Sequence, residues 1–255
     1  MTTEAFYDEL ADDYHLNYHD WREAVPRQGR VLATLIRSVQ GPLPPASILD
    51  CTCGIGTQAI GLALEGFDVT GTDLSARSIE RARREAAAFG VGVAFGVADV
   101  RNLATAVPGA FEVVISCDNS LPHLLTEAEL LQATSGMYAK LRPGGLVVIG
   151  IRDYDRLRVE RPRFTPPQVI ERDGERTVLF QLWDWTGDGS AYDLTMFRHR
   201  ERDGEWSTAI GTTTYRALLR SDLERALTLA GFQNIRWHEL EEIGHHQPLV
   251  TARRE

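Results

Sequence analysis

Residues 47–57 read Ser-Ile-Leu-Asp-Cys-Thr-Cys-Gly-Ile-Gly-Thr, a short apolar run that ends in Asp50 and two closely spaced glycines. Glycines at such a turn let the backbone approach a ligand, and a helix starting there offers free amide donors. Two chemistries fit this loop. Gly54-Ile55-Gly56-Thr57-Gln58-Ala59 has the G-x-G-x-x-A spacing of a dinucleotide site, and Asp73 could grip ribose hydroxyls in either case. Three features separate the rivals. Asp50 stands four residues before the first glycine, where it would repel a pyrophosphate and attract a cationic aminoacyl sulfonium. In Gly96-Val97-Ala98-Asp99-Val100 an acid follows the third strand and can accept from an adenine amino group. Leu141-Arg142-Pro143-Gly144-Gly145 then turns into a strongly apolar fifth strand. These favour the sulfonium; a nicotinamide oxidoreductase is the remote alternative, and a plain turn without ligand is the bland one. Leu74 and Val100, beside the two acids, belong to the same expected lining.

Such loops need a sheet to hold them. Residues 4–39 carry apolar residues at helical spacing, with Tyr7 and Tyr14 seven apart and so on one face. Gly41, Pro42, Pro44 and Pro45 then break the chain. From Ser47 short strands alternate with helices: strands at 48–50, 67–72, 93–97, 111–116 and 146–151, helices near 57–65, 75–89 and 127–141, with Thr126 as an N-cap. The alternation predicts a doubly wound, Rossmann-like, mostly parallel sheet covered on both faces. After Asp155 the pattern changes to an Arg- and Pro-rich stretch and three strands, 177–185, 191–200 and 207–218, expected to form a small antiparallel cap. A helix over 221–230, stopped by Gly231, and strands at 233–239 and 249–253 close the chain. The expected organisation is a single domain: a helical segment at 1–45, a cofactor-binding core at 46–155, the cap at 156–218 and a last helix and strands at 219–255.

The chain has 255 residues, 43% hydrophobic and 25% charged, ordinary for a globular enzyme. A net charge of −9, with the arginines at 81–84 and 152–163 interleaved with acids or prolines, disfavours a polynucleotide partner. The acidic start MTTEAFYDELADDYH is unlike a signal peptide, and no run of residues would span a bilayer. Three cysteines, 51, 53 and 117, fit a reducing compartment, so the expected address is the cytoplasm, without membrane association. No metal site is read: His15 and His19 lack a third ligand, and Cys51 and Cys53 point opposite ways from a strand tip.

Residues 50–57, Thr72-Asp73, Ala98-Asp99 and 141–145, in this order, resemble the motifs of class I S-adenosylmethionine-dependent methyltransferases. The stretches FYDELADDYHLNYHDW, DCTCGIGTQAIGLA, SCDNSLPHLL, KLRPGGLVVIGIRDYD, FQLWDW and HHQPLVTARR resemble the glycine/sarcosine N-methyltransferase group in particular. The resemblance implies methyl transfer from S-adenosylmethionine, giving S-adenosylhomocysteine, to an amine of an amino acid or related carboxylate. C- or O-methylation of a secondary metabolite is the alternative. It implies a lid at the N-terminus with Tyr7, and with it Tyr14, beside the sulfonium. Arg27 is placed on the cofactor carboxylate, Cys51 and Cys117 along the cofactor, and His123 at its methionine end. Asn119 is placed facing the acceptor, Arg152 on the acceptor carboxylate and Tyr215 in the cap pocket. His245-His246 stand where relatives carry bulky aromatics, which implies a reshaped pocket. Bland readings stand beside these: Asp73 as a helix cap, Asn119 as a turn cap, Arg27 as a solvated arginine, Arg152 as a surface ion pair with Asp153 or Asp155. No general base is evident beyond His123 and His245, and the mechanism is one of proximity. The acceptor is a small molecule; a homo-oligomer is left open.

Overall fold

The structure, a computed structural model, describes residues 1–41, 46–172 and 174–255, except the side chain of Arg172; the expected proline break at 42–45 lies outside them. The first elements are α1 (Thr3–Leu10), α2 (Trp21–Gln40), β1 (Ser47–Asp50), α3 (Thr57–Leu64), β2 (Asp68–Asp73), α4 (Ala76–Phe89) and β3 (Ala94–Val97). There follow α5 (Leu103–Ala106), β4 (Phe111–Ser116), α6 (Glu127–Lys140), β5 (Leu141–Gly150) and α7 (Tyr154–Glu160). The remainder is β6 (Gln168–Arg172), β7 (Glu175–Trp185), β8 (Ala191–Arg202), β9 (Glu205–Arg216), α8 (Arg220–Ala230), β10 (Gln233–His238), α9 (Leu240–Ile243) and β11 (Leu249–Arg253).

Seven strands form one sheet in the order β10-β11-β5-β4-β1-β2-β3. The five from β5 to β3 are parallel; β11 and β10 add antiparallel at one edge. The continuous apolar runs explain the placement: Ile48, Leu49, Val113–Ile115 and Leu146–Ile149 have no exposed surface, as expected of strands covered on both faces. The chain moves outward from β1 to β3 and restarts on the other side at β4. The loops after β1 and β4 therefore diverge, and a crevice opens at their carboxyl ends. Caps support the helices around it: Ser75 accepts from the Ser78 amide, and Thr126 and Glu129 form a reciprocal capping box.

The second sheet, β6-β7-β8-β9, is antiparallel throughout. Two of its neighbours were not expected. Asp153 accepts from the Arg156 amide and starts α7, and β6 falls inside the stretch read as irregular. The single helix expected over 4–39 is broken. The Asp20 side chain accepts from the amides of Arg22 and Glu23 and caps a new start at Trp21. Asp13 is drawn instead to Arg198 and Arg200 of β8, at 3.2 and 2.7 Å. Tyr14 thus lies in a separate short turn rather than on the Tyr7 helix, and the two rings still approach to 6.3 Å.

The N-terminal elements are pinned to the rest at several points. Asp8 accepts from the Ser75 hydroxyl and the Arg77 amide at the start of α4. Arg77, Arg81 and Arg84, the basic run of α4, are engaged by Asp12. Between α2 and α3, Gly29 meets Gly61 so closely that a Cβ on Gly61 would lie 2.5 Å from the Val25 carbonyl oxygen. That approach lets Trp21 Nε1 donate to Thr57 Oγ1 and Gln58 reach Gln28.

Candidate active site

Two cavities adjoin at the crevice. The first is lined by the loops that follow β1 to β4: Cys51, Gly54, Asp73, Leu74, Asp99 and Val100 are all on its wall, with His123 at the far side. Gly54, at φ +52, donates its amide to Asp73 Oδ2 at 2.8 Å, and the Ser75 amide donates to Oδ1 at 2.9 Å. Asp73 is therefore held by two backbone donors, while the cap of α4 is Ser75. Burial pushes its carboxyl up, and the amides of Ser75 and Gly54 oppose the shift. Gly56, at φ +96, does not line the cavity; it makes the left-handed start of α3, where a Cβ would lie 2.9 Å from Ile60. Asp50 lies behind the loop, 1% exposed, with Oδ2 lacking a hydrogen-bond partner among the described residues. Burial pushes its carboxyl up to about 8.

Asp99 lines the same cavity with a partner that the sequence reading missed. Arg101 donates to both its oxygens at 2.6–3.0 Å. Burial alone would raise the Asp99 carboxyl; the Arg101 guanidinium outweighs it and holds it below the usual range. A carboxylate has about four lone-pair sites, so acceptor capacity remains for a ligand amino group. Asp73, Asp99 and Asp118 outnumber Arg101, which lines the same cavity, and make this wall net acidic. Such a wall suits a cationic ligand with hydroxyls and an amino group and is poor for a pyrophosphate.

The second cavity, of about 840 Å³, lies between the N-terminal elements, the loop after β4 and the antiparallel sheet. Tyr7, Tyr14 and Asp118 line both cavities. The Tyr7 hydroxyl is 2.8 Å from His123 Nε2 and 3.1 Å from the Tyr215 hydroxyl. Burial pushes His123 down to about 3, so the imidazole is neutral at pH 7. Arg152 also lines the second cavity. Its Nη1 donates to Tyr192 Oη at 2.8 Å, and its guanidinium sits over the rings of Trp183 and Tyr215 at 4.9 and 5.4 Å. No carboxylate pairs with it among the described residues, which removes the reading of a surface ion pair with Asp153 or Asp155.

Four further expected residues, besides Gly56 and Asp50, stand elsewhere. Asn119 lines neither cavity: it is 2% exposed, at φ +66, with Nδ2 donating to Tyr154 Oη and Oδ1 accepting from the Arg152 amide. It positions Arg152 instead of facing the acceptor. Cys117 packs into the core between the sheet and α2–α4, because side chains alternate along the exit of β4. Arg27 opens on the second cavity, since α2 starts afresh at Trp21 and carries its first turns past the first cavity. His245 is buried behind His246, which lines the second cavity in its place.

Asp118 has no signal in the sequence, and His246 only that of a reshaped pocket. Asp118, at φ +56, accepts from Tyr18 Oη at 2.5 Å on Oδ2 and faces His246 Nε2 at 2.8 Å on Oδ1. Burial alone would raise its carboxyl; His246 and Tyr18 outweigh that and bring it down to about 2.

Comparison with known proteins bears on this geometry. Residues 48–145 match the methyltransferase domain family. The chain is 30% identical over 158 residues to a glycine/sarcosine N-methyltransferase of Parasynechococcus marenigrum, covering 61% of this chain and 55% of that protein. It thus spans about half the length of that curated relative. Among solved structures it resembles Streptomyces venezuelae DesVI, with a TM-score of 0.80, 22% identity and coverage of 96% and 98% of the two chains. It also resembles S-adenosylmethionine-bound CalS10, an amino pentose methyltransferase of Micromonospora echinaspora, with a TM-score of 0.71, 20% identity and coverage of 90% and 91%. No helix among the described residues is long and apolar enough to cross a membrane.

Proposed function

We propose that this chain, which belongs to the class I S-adenosylmethionine-dependent methyltransferases, methylates the amine nitrogen of a small molecule that carries a carboxylate. The first cavity takes the cofactor: Asp73 accepts from the ribose hydroxyls and Asp99 from the adenine amino group. Leu74 and Val100 supply apolar contact, and Tyr7, Tyr14 and Asp118 face the cationic end. When bound, the cofactor supplies an electrophilic methyl carbon; the amine lone pair forms the N–C bond as the C–S bond breaks, leaving S-adenosylhomocysteine.

Arg152 carries the acceptor reading. A part-buried guanidinium remains charged, and leaving it without an anion is costly. Among the described residues its side chain touches a hydroxyl and aromatic faces in a cavity wall and no carboxylate, a setting that a substrate carboxylate completes with paired hydrogen bonds. Asn119 fixes the Arg152 backbone. At the opposite side of the cavity the Asp118 carboxylate favours the amine over other neutral groups. Holding amine and methyl aligned lowers the barrier by several kcal/mol without a covalent catalyst, and the aromatic wall of Tyr7, Tyr14 and Tyr215 excludes water from the seam.

Size favours a second reading within the same chemistry. A cavity of about 840 Å³ suits an acceptor larger than a simple amino acid, such as an amine-bearing sugar of the kind CalS10 methylates. The test is steady-state kinetics on an acceptor found by mass-spectrometric screening for one added methyl group. Arg152→Ala and Arg152→Lys should each lose about 100-fold or more in kcat/KM, because lysine keeps charge but not the fork. Cofactor affinity should be nearly unchanged. Wild-type rates in both variants would defeat the carboxylate clamp and leave an amine-bearing sugar, or C- or O-methylation of an uncharged metabolite, as the better account.

A further inference from the structure

We propose that Asp118, His245 and His246 form a binding site for one divalent transition-metal ion at the rim of the acceptor cavity, a site that methyl transfer itself does not require. Asp118 follows β4 and the two histidines follow α9, so the fold brings together segments more than a hundred residues apart. One donor atom from each residue lies within 4.8 Å of the other two. His246 Nε2 and Asp118 Oδ1 alone would be an ordinary ion pair, at 2.8 Å.

His245 makes the difference. It is only 4% exposed, and its Nε2 has no hydrogen-bond partner among the described residues. Its Nδ1 lies 3.0 Å from the Gln247 carbonyl oxygen and 3.3 Å from the Gln247 amide nitrogen, which donates toward it. The shorter carbonyl contact favours a proton on Nδ1, and that tautomer leaves the Nε2 lone pair as the donor atom available to the cluster. This is how proteins orient a ligating histidine: the second ring nitrogen donates to a backbone carbonyl, which sets the tautomer. Asp118 is oriented in the same way. Tyr18 donates to Oδ2 at 2.5 Å and turns Oδ1 toward His246. Two of the three ligands therefore already have their supporting contacts in place.

The donor set selects the ion. Two imidazoles and one carboxylate suit Zn²⁺, Co²⁺, Ni²⁺ or Fe²⁺ and are poor for Mg²⁺ or Ca²⁺, which take oxygen ligands. Metal–ligand bonds of about 2.0–2.2 Å put neighbouring donor atoms roughly 3.0–3.5 Å apart, so the Asp118–His246 contact of 2.8 Å opens slightly around the ion while His245 closes in, which side-chain rotation of the half-exposed His246 accommodates. Three protein ligands leave coordination positions free. Asp118 and His246 both line the acceptor cavity, so those positions face the space that the acceptor would fill.

The experiment uses untagged, chelator-treated protein titrated with Co²⁺ and then Zn²⁺, read by visible absorption and calorimetry. One equivalent of Co²⁺ should produce the ligand-field bands of a four- or five-coordinate ion, Zn²⁺ should displace them, and Mg²⁺ should not. Tyr18→Phe should weaken binding by roughly 10- to 100-fold, and His246→Ala and Asp118→Asn by more. His246→Ala carries the decision, because that side chain is half-exposed and its loss leaves the core intact; melting curves confirm the fold. Absence of the Co²⁺ bands, or equal affinity in His246→Ala, overturns the site. Neither result bears on the methyl-transfer reading, which is tested through Arg152.

Discussion

The first cavity, proposed for the cofactor, draws nearly all its wall from residues 51–124, on loops that leave adjacent parallel strands in succession. The second, proposed for the acceptor, takes residues 6–28 from the N-terminal elements, Asp118 and Arg152 from two strand exits, 165–215 from the antiparallel sheet and the segment before it, and 246–247 from the far end. The first follows from the strand order, since each side chain is aimed by its own strand. The second exists only while separate elements are held at the right distances. Its architecture rests on contacts such as the Gly29–Gly61 crossing and the Asp13–Arg198–Arg200 cluster.

The difference is broken most strongly at the crossing. Gly61→Ala puts a Cβ 2.5 Å from the Val25 carbonyl oxygen and 2.9 Å from Gly29 Cα, so backbone must move. Helix propensity alone would make this change stabilising by up to about 1 kcal/mol; overpacking against backbone should instead cost about 3 kcal/mol or more. For a chain of this length that is a fall in Tm of roughly 6–12 °C, measured by calorimetry. Where the variant still folds, acceptor KM should rise more than cofactor Kd. A rise in Tm would show that the crossing is slack and that α2 does not gauge the acceptor cavity.

What could be read from the sequence divides along the same line. The glycine loop, Asp73, Asp99 and the alternation of strands and helices carry local signals, and Gly54, Asp73 and Asp99 are found on the wall of the first cavity. Arg152 was legible for the same reason: a charged residue at the exit of an apolar strand belongs to the ligand end of the sheet. Asn119 was misplaced because the loop after β4 turns through two residues at positive φ, Asp118 and Asn119, and Cys117 because alternation along the exit of β4 turns it into the core. No one-dimensional pattern announces such a turn, although Asp and Asn tolerate it better than most residues. The pairing of Asp118 with His246 was not legible for another reason, since it arises only from the loops after β4 and α9 meeting in space, although the histidine pair itself reads in the sequence as a reshaped pocket. The helix expected over 4–39 failed because its periodicity continues through a break that tertiary contacts to Asp13 and the cap at Asp20 impose.

The cofactor side is sharpened by Asp73→Ala. The change removes the acceptor that Gly54 and Ser75 amides hold at 2.8 and 2.9 Å and strands whatever ligand hydroxyls it receives. Calorimetry with S-adenosylhomocysteine should show affinity reduced by about 1–3 kcal/mol, with acceptor KM little altered once cofactor saturates. Unchanged cofactor affinity would mean that Asp73 serves only to shape the turn between Gly54 and Ser75.

The smallest effect is the most informative, because it falls on the seam. Tyr7 lines both cavities, yet its hydroxyl joins His123 Nε2 to Tyr215 of the antiparallel sheet, at 2.8 and 3.1 Å. Tyr7→Phe keeps the ring edge against Phe6 and His123 and deletes only that link. His123 Nδ1 already lacks a partner among the described residues, so Nε2 would join it. The imidazole is neutral at working pH, with burial holding it down to about 3, so the loss is that of a neutral hydrogen bond, about 0.5–1.5 kcal/mol. The expected reading is roughly a 3- to 10-fold drop in acceptor kcat/KM with S-adenosylhomocysteine affinity nearly constant. If cofactor affinity instead falls as far as kcat/KM, the hydroxyl serves the local cavity rather than the composite one. The boundary between them would then lie beyond Tyr7, at Tyr215 and the antiparallel sheet.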